Sequence, residues 1–291
     1  MNASFNYFFV KWNYLKGHKV FKKSPILAIL RTAIWGVHCI FKIPATINLK
    51  ESKALFYLPP KLKSVGSTGI YILREDYEPE LDYLKKVLSP GKVFVDAGAN
   101  FGIFTVIASK LVGETGKVLA FEPAVETYPI LDRNVEINKL SNVKVFHAAI
   151  SDKSGTARFY HIDNAPNSYS LGGDAEGTTF EEVSMVTLEE VFRSEGLERL
   201  DLMKMDVEGA EELVLYGSKS LIEQMRPQII FEISLHGAQR LGLAQDGAWS
   251  LLKEWHYEFF LIEQNGSLTS LVSPRVGNVL AVPRDVISEG V

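Results

Sequence analysis

From Tyr77 to the C-terminus, short apolar runs ending in glycine, proline or acidic turns alternate with longer helical stretches, and no other feature constrains the fold as tightly. Apolar runs at Val93–Val95, Val118–Phe121, Val143–Ile150, Leu200–Val207 and Ile229–Ile233 read as strands. Helical patterns at Ile103–Leu111, Val125–Leu140, Glu211–Gln224 and Ala238–Trp255 fall among them, and Leu81–Leu88 precedes them, stopping at Ser89-Pro90-Gly91. This spacing predicts an α/β fold with a mostly parallel, doubly wound sheet covered on both faces. Tyr257–Glu263 and Val276–Val282 read as a closing hairpin through Asn265-Gly266, which would put one antiparallel strand in that sheet. Residues 46–75 look like short strands, with apolar stretches at Ala54–Leu58 and Ile70–Leu73 punctuated by Pro59, Pro60, Gly66 and Gly69.

The chain divides at the charge pattern. Residues 1–50 hold eight Lys/Arg and no Asp or Glu, leaving 23 basic against 35 acidic groups in the rest, a balance of −12. So acidic a body is a poor partner for nucleic acid, whose binding rests on Lys/Arg contacts to phosphate. We expect an N-terminal helical and short-strand extension over residues 1–60 and the main domain over residues 61–291. The extension's first 45 residues crowd nine aromatics among the lysines, and Ile26–Ile43 reads as an apolar helix interrupted by Arg31, His38 and Lys42. Three readings stand for residues 1–45. A helical cap on the main domain, the favoured one, would bury Trp12, Trp35 and Phe41. An interfacial helix would make peripheral contact with an anionic membrane. A transmembrane anchor is opposed by Arg31 and by a length near the lower limit for a span. The single cysteine, Cys39, excludes an intrachain disulfide, and with no cleavable signal pattern a cytoplasmic setting is expected.

Ligands in such sheets bind at the carboxyl ends of the strands. The first run continues as Asp96-Ala97-Gly98-Ala99-Asn100-Phe101-Gly102, where Gly98 and Gly102 permit a tight turn and close approach of a ligand. The dinucleotide pattern G-x-G-x-x-G is missing, since Asn100 and Ile103 stand where its later glycines would be. Asp96 beside this turn suits a cationic ligand better than a pyrophosphate. Glu122, 24 residues past Gly98, lies near the ~20-residue offset at which an acidic residue bonds ribose hydroxyls, and can accept from both the 2′ and 3′ hydroxyls. Ala148 and Ala149 leave room for a flat ring, with Ser151 and Asp152 in reach of an amino group. In Lys204-Met205-Asp206-Val207-Glu208, strand alternation would turn three charges to one side of a strand that should be apolar. They either pair structurally, Lys204 with Asp206 or Asp96, or position reactants.

The run DAGANFG, then FEP, the helix with Arg133, Asn134 and Asn138, then AAISD, VTLEEV and KMDVEGAE, resembles the FkbM family of methyltransferases over about residues 60–240. The departures are small: Ala97 where valine or isoleucine is common, and Glu189 where aspartate is frequent. The resemblance implies a Rossmann-like class I methyltransferase using S-adenosyl-L-methionine, usually on oxygens of sugar, glycolipid or polyketide-type acceptors. Carried over by position, Asp96, Gly98, Asn100 and Gly102 would line the methionine end. Glu122 would hold the ribose, Ala149 and its neighbours the adenine, and Asp206 and Glu208 the active-site rim.

A hydroxyl acceptor calls for a general base, and Asp206, Glu208, Glu232 and His236 stand at strand ends, His236 with the intrinsic pKa nearest neutrality. No clustered ligand spacing supports a metal among Asp206, Glu208 and Glu232. The polar stretch Tyr160–Glu182 suits a lid over the acceptor, or is plain loop. The rivals are a nicotinamide-dependent oxidoreductase, which the missing glycines oppose, and a non-catalytic membrane-associated binding module with a vestigial pocket.

Overall fold

The computed structural model describes residues 15–62, 64–161, 169–171 and 179–287. Helices α1 (Lys19–Lys23) and α2 (Pro25–Ile40) lead into an antiparallel hairpin of β1 (Ala45–Leu49) and β2 (Ala54–Leu58). Helices α3 (Val65–Leu73) and α4 (Pro79–Val87) precede the alternating part, which opens with β3 (Val93–Ala97), α5 (Ile103–Val112), β4 (Lys117–Phe121), α6 (Tyr128–Ile137) and β5 (Val143–Phe146). The chain then leaves for a four-stranded sheet of β6 (Ala149–Ile150), β7 (Gly155–His161), β8 (Tyr169–Ser170) and β9 (Phe180–Val186). It returns through α7 (Leu188–Glu195) to β10 (Leu202–Met205), α8 (Glu211–Tyr216), α9 (Lys219–Met225) and β11 (Gln228–Ile233). Helices α10 (Leu235–Arg240) and α11 (Gly247–Glu254) lead to the closing strands β12 (Tyr257–Ile262), β13 (Leu268–Leu271) and β14 (Gly277–Pro283).

The main sheet runs β13-β12-β14-β11-β10-β3-β4-β5, a Rossmann-like order in which β3, β4, β5, β10 and β11 are parallel. Two strands, rather than the expected one, run against the rest. The turn at Asn265-Gly266 joins β12 to β13 on the outer edge, and β14 then inserts between β12 and β11, antiparallel to both. The expected antiparallel pairing of the two closing segments is present as β12 with β14. What the local turn signal does not show is that Asn265-Gly266 leads into an additional edge strand, β13, and that β14 pairs on its other side with β11.

Side chains alternate between two cores. Phe94, Leu202, Ile230 and Leu280 pack beneath α4 and α5, while Val95, Met203, Ile229 and Phe231 pack beneath α8, α9 and α11. The third strand stops at Phe146, and Ala149–Ile150 instead pairs parallel with β9 in the second sheet. The expected helix Glu211–Gln224 breaks at Gly217-Ser218, and Ala238–Trp255 is likewise two helices.

Ile70–Leu73, expected as strand, ends helix α3. The Ser64 hydroxyl caps that helix by accepting from Ser67 N. Its two glycines are points of close approach rather than breaks: a Cβ on Gly69 would lie 2.1 Å from the Tyr77 ring, and one on Gly66 would lie 2.8 Å from the Phe101 ring.

The extension is fastened by ion pairs from Lys19 to Asp76 and Asp82, by α2 and by the hairpin. Trp35, fully buried, donates its indole N–H to Thr68 Oγ1 at 2.9 Å and stacks on Tyr71, and Arg31 donates to Ile72 O at 2.9 Å. Phe41, expected to be buried, is 68% exposed, and Trp12 lies outside the described residues. The hairpin is held by α6. Asn134 Oδ1 accepts from Tyr57 N at 2.7 Å, and Asn138 Oδ1 accepts from Leu55 N at 2.8 Å while its amide donates to Leu55 O. Four helical residues rise ~6 Å and two strand residues ~6.8 Å, so asparagines four apart match a strand edge two residues apart.

Candidate active site

The strand order reverses between β3 and β10, and the crevice outside their carboxyl ends is where such sheets take ligands. Backbone meets backbone there. Gly98, at φ +79, sits so close to β10's continuation that a Cβ would lie 1.9 Å from Asp206 O. Gly98 N and Ala99 N both donate to Phe121 O, at 3.0 and 2.9 Å, which ties the turn to the end of β4.

A cavity of about 330 Å³ opens at this point, within the range of small-molecule sites. Of the residues singled out in the sequence, Asp96, Gly98, Asn100, Glu122, Ala149, Asp206, Glu208 and Glu232 line it. Gly102 does not: at φ +82 it starts α5 and faces Leu131. His236 does not either. It is exposed on α10, because the chain turns into helix at Leu235 and carries the imidazole away from the strand tip. Ser151 is buried beneath the turn with its hydroxyl on Asp152, and neither lines the cavity. Of the proposed lid, Leu171 reaches the cavity, as does Phe159 just ahead of it on β7, and Tyr160, Phe180 and Glu182 belong to strands. Residues 162–168 and 172–178 lie outside the described residues.

Lys204, 3% exposed, donates to Asp206 Oδ2 at 2.9 Å. It stands beside Asp96 in the β3–β10 register, and its ammonium lies 4.6 Å from the Phe104 ring centre. Burial alone would lower its pKa, but Asp206, Glu78 and Asp96 outweigh burial and raise it. The structural pairing expected of these charges is therefore present, and both partners still face the cavity. Strand β10 ends at Met205, so Asp206 and Glu208 extend from a turn rather than alternating along the strand, with Glu208 at φ +55.

Asp96 is buried at the cavity floor. Its Oδ2 accepts from Thr105 Oγ1 at 2.6 Å, and its Oδ1 has no partner among the described residues. Burial raises its pKa, opposed by Lys204 and the Thr105 hydroxyl. Glu122 is already engaged. Oε2 accepts from Asn100 N at 2.7 Å, and Oε1 accepts from Ala124 N at 3.0 Å and Thr127 Oγ1 at 2.7 Å. A carboxylate offers about four acceptor directions, so one remains, on Oε2, rather than the two expected for a pair of ribose hydroxyls. Burial pushes Glu122 up to about 7 in spite of these bonds. Glu232 is likewise pushed up to about 7, by burial and then by Asp206 and Glu208.

Sequence reasoning missed Glu78. It stands in extended backbone before Pro79, ahead of the first sheet strand, so a search of strand ends passes it by. Its side chain lines the cavity, with Oε2 buried and unpartnered among the described residues, and burial pushes its carboxyl up to about 8 against the pull of Lys204. Together, six carboxyl groups (Glu78, Asp96, Glu122, Asp206, Glu208 and Glu232) and one ammonium line the cavity among the described residues. Such a lining suits a cationic ligand and opposes a pyrophosphate. Phe121, Pro123, Ala148, Ala149 and Ile150 supply an apolar wall on the β4 side.

The family model for the methyltransferase FkbM domain matches residues 96–259. Methyltransferase sdnD of Sordaria araneosa is 34% identical over 153 residues, which cover 42% of this chain and 59% of that protein. The 31-O-demethyl-FK506 methyltransferase FkbM of Streptomyces tacrolimicus is 29% identical over 175 residues, covering 50% of this chain and 66% of that one. The crystal structure of methyltransferase FkbM from Methylobacillus flagellatus KT aligns over 74% of this chain and 53% of that one, with 14% identity and a TM-score of 0.42. The matches thus span less than two thirds of these relatives' own length.

Proposed function

This chain belongs to the FkbM methyltransferase family, and on that premise we propose that it moves a methyl group from S-adenosyl-L-methionine to a hydroxyl oxygen of a small-molecule, sugar-like or lipid-linked acceptor. The observation that carries this reading is the acidic lining of the cavity at the β3–β10 switch point. A sulfonium with its attached amino group finds counter-charge there, whereas the pyrophosphate of a nicotinamide dinucleotide meets six carboxyls. The oxygen acceptor is supported by the Streptomyces relative, whose name makes 31-O-demethyl-FK506 its substrate.

The bound cofactor supplies a methyl group on a positively charged sulfur, ready for in-line displacement. The chain's own residues align and deprotonate. Asp96 offers its unpartnered Oδ1 to the cationic end, and the remaining Oε2 direction of Glu122 takes one ribose hydroxyl. Ala148, Ala149 and Phe121 pack the base. Holding donor and acceptor at near-attack distance is the larger part of the catalysis. Asp206, tied to Lys204, and Glu208 form the rim against the acceptor. Glu232, poised near neutrality, accepts the hydroxyl proton as general base, a contribution of ~10²–10⁴-fold. That assignment replaces His236, which does not reach the cavity.

Mass spectrometry of metabolites, glycans and lipids from cells with and without the gene tests this reading. A species one methylene lighter should accumulate in its absence. An unchanged profile, together with no methyl transfer by the purified protein to extracts of those cells, would remove it.

A further inference from the structure

Helix α2 turns its apolar side outward. Ile26 is 82% exposed, Leu30 52%, Ile34 42%, Val37 52%, Ile40 77% and the adjoining Phe41 68%. Their spacing of three and four places them in one stripe along the helix. The opposite side is the one that packs, through Ala28, Trp35 and the bonds from Trp35 to Thr68 and Arg31 to Ile72. Those fastenings stop the helix from rotating to bury the stripe. Single exposed apolar residues need no explanation, but a continuous stripe on a helix fixed in place does.

Charge identifies the occupant. Lys22, Lys42 and Lys50 are exposed near the two ends of the helix and just past the strand that follows it, and the first 50 residues contain no acidic group, while the remainder carries −12. A second copy of this helix would bring only like charges to the contact, and residues 1–14 add Lys11 and no acid, so neither offers complementary charge. A bilayer containing acidic phospholipid offers both the apolar phase and the anionic surface. The helix has 16 residues, ~24 Å against a ~30 Å hydrocarbon core, and among the described residues no helix is long and apolar enough to cross a membrane.

We propose that the exposed face of α2 docks in the plane of an anionic membrane surface, with Ile26, Leu30, Val37, Ile40 and Phe41 in the acyl boundary and the lysines at the headgroups. The opposite face rests on α3, whose Gly66 and Ile70 line the cavity, so a single helix joins the docked surface to the site. The docking stands apart from the proposed chemistry and does not depend on it.

Sedimentation of the full chain with phosphatidylcholine vesicles, with and without phosphatidylglycerol, tests the docking. Co-sedimentation should need phosphatidylglycerol and fall as salt rises. The pair Leu30→Glu and Val37→Glu, on exposed positions, should bind at least tenfold more weakly with an unchanged melting temperature. The pair Lys22→Gln and Lys42→Gln should also weaken binding at least tenfold, about fivefold per lysine. No binding to either vesicle would overturn the proposal, as would full binding by the Leu30→Glu and Val37→Glu variant. A dimer in solution that this variant converts to monomer would assign the face to a second copy instead, and a variant that melts earlier would assign it to packing within this chain.

Discussion

Lys204 Nζ lies 2.9 Å from Asp206 Oδ2, the lysine side chain 3% exposed and the aspartate 38%. The ammonium is thus held inside the protein while its partner looks into the cavity, and it is the only cation that the described cavity lining sets against Glu78, Asp96 and Glu232. Lys204→Met should destabilise the fold by roughly 2–4 kcal/mol at pH 8, discounted because Asp206 is more than one-third exposed. The sign with pH follows from the carboxyls. Glu78 and Glu232 have folded pKa values above their unfolded ones, so their ionisation, between about 4.5 and about 8, is what costs stability. Without the lysine that cost grows. Urea unfolding of the variant should therefore show a deficit that is large at pH 8 and shrinks towards pH 4.5.

Glu232 should set the rising limb of the pH–rate profile. A general base works ionised, so turnover is expected to climb as pH rises through about 7, and Glu232→Gln should abolish that inflection and lower turnover by ~10²-fold or more. Asp206→Asn and Glu208→Gln should lower turnover while leaving an inflection in place. Retention of the inflection in Glu232→Gln would assign the base elsewhere.

Asn134 joins three backbone segments, accepting from Tyr57 N and donating to Phe101 O and Tyr57 O. Phe101 belongs to the turn that lines the cavity, so Asn134→Ala should cost ~2–3 kcal/mol and also weaken cofactor binding. Asn138 bonds the exposed Leu55 edge and Asn134 O of its own helix, away from the cavity turn, so Asn138→Ala should cost ~1 kcal/mol, with cofactor binding unchanged. Denaturant unfolding, with hydrogen exchange at the Leu55 and Tyr57 amides, measures both.

What was legible in the sequence is what is local. The turn from Asp96 to Gly102, Glu122 after β4, and Lys204 to Glu208 after β10 are contiguous strand–turn signals, and the structure brings most of these residues to one cavity. The sheet's parallel body was readable for the same reason. Long-range pairing was not: β14 inserts between β11 and β12, and β6 leaves the main sheet for β9, choices that depend on partners far along the chain. Gly66 and Gly69 read as breakers because their contacts with Phe101 and Tyr77 are tertiary. Glu78 escaped because it reaches the cavity from ahead of the sheet. His236 stands out in the sequence for its intrinsic pKa, but α10 decides where its side chain stands, exposed and away from the cavity. On α2 the burial expected of Trp35 is present and that of Phe41 is not, and the helix packs further through Ala28 and Arg31, contacts that no local signal marks.

The central claim is that this cavity holds an adenosyl sulfonium rather than a dinucleotide. Isothermal titration of the purified chain with S-adenosylmethionine, S-adenosylhomocysteine and NAD tests it most directly. Binding of both adenosyl compounds is expected, with NAD silent, and Glu122→Ala should weaken both by tenfold or more, since a hydrogen bond to a charged group is worth ~1.5–3 kcal/mol. Tight NAD binding, with no heat from either adenosyl compound, would contradict the claim.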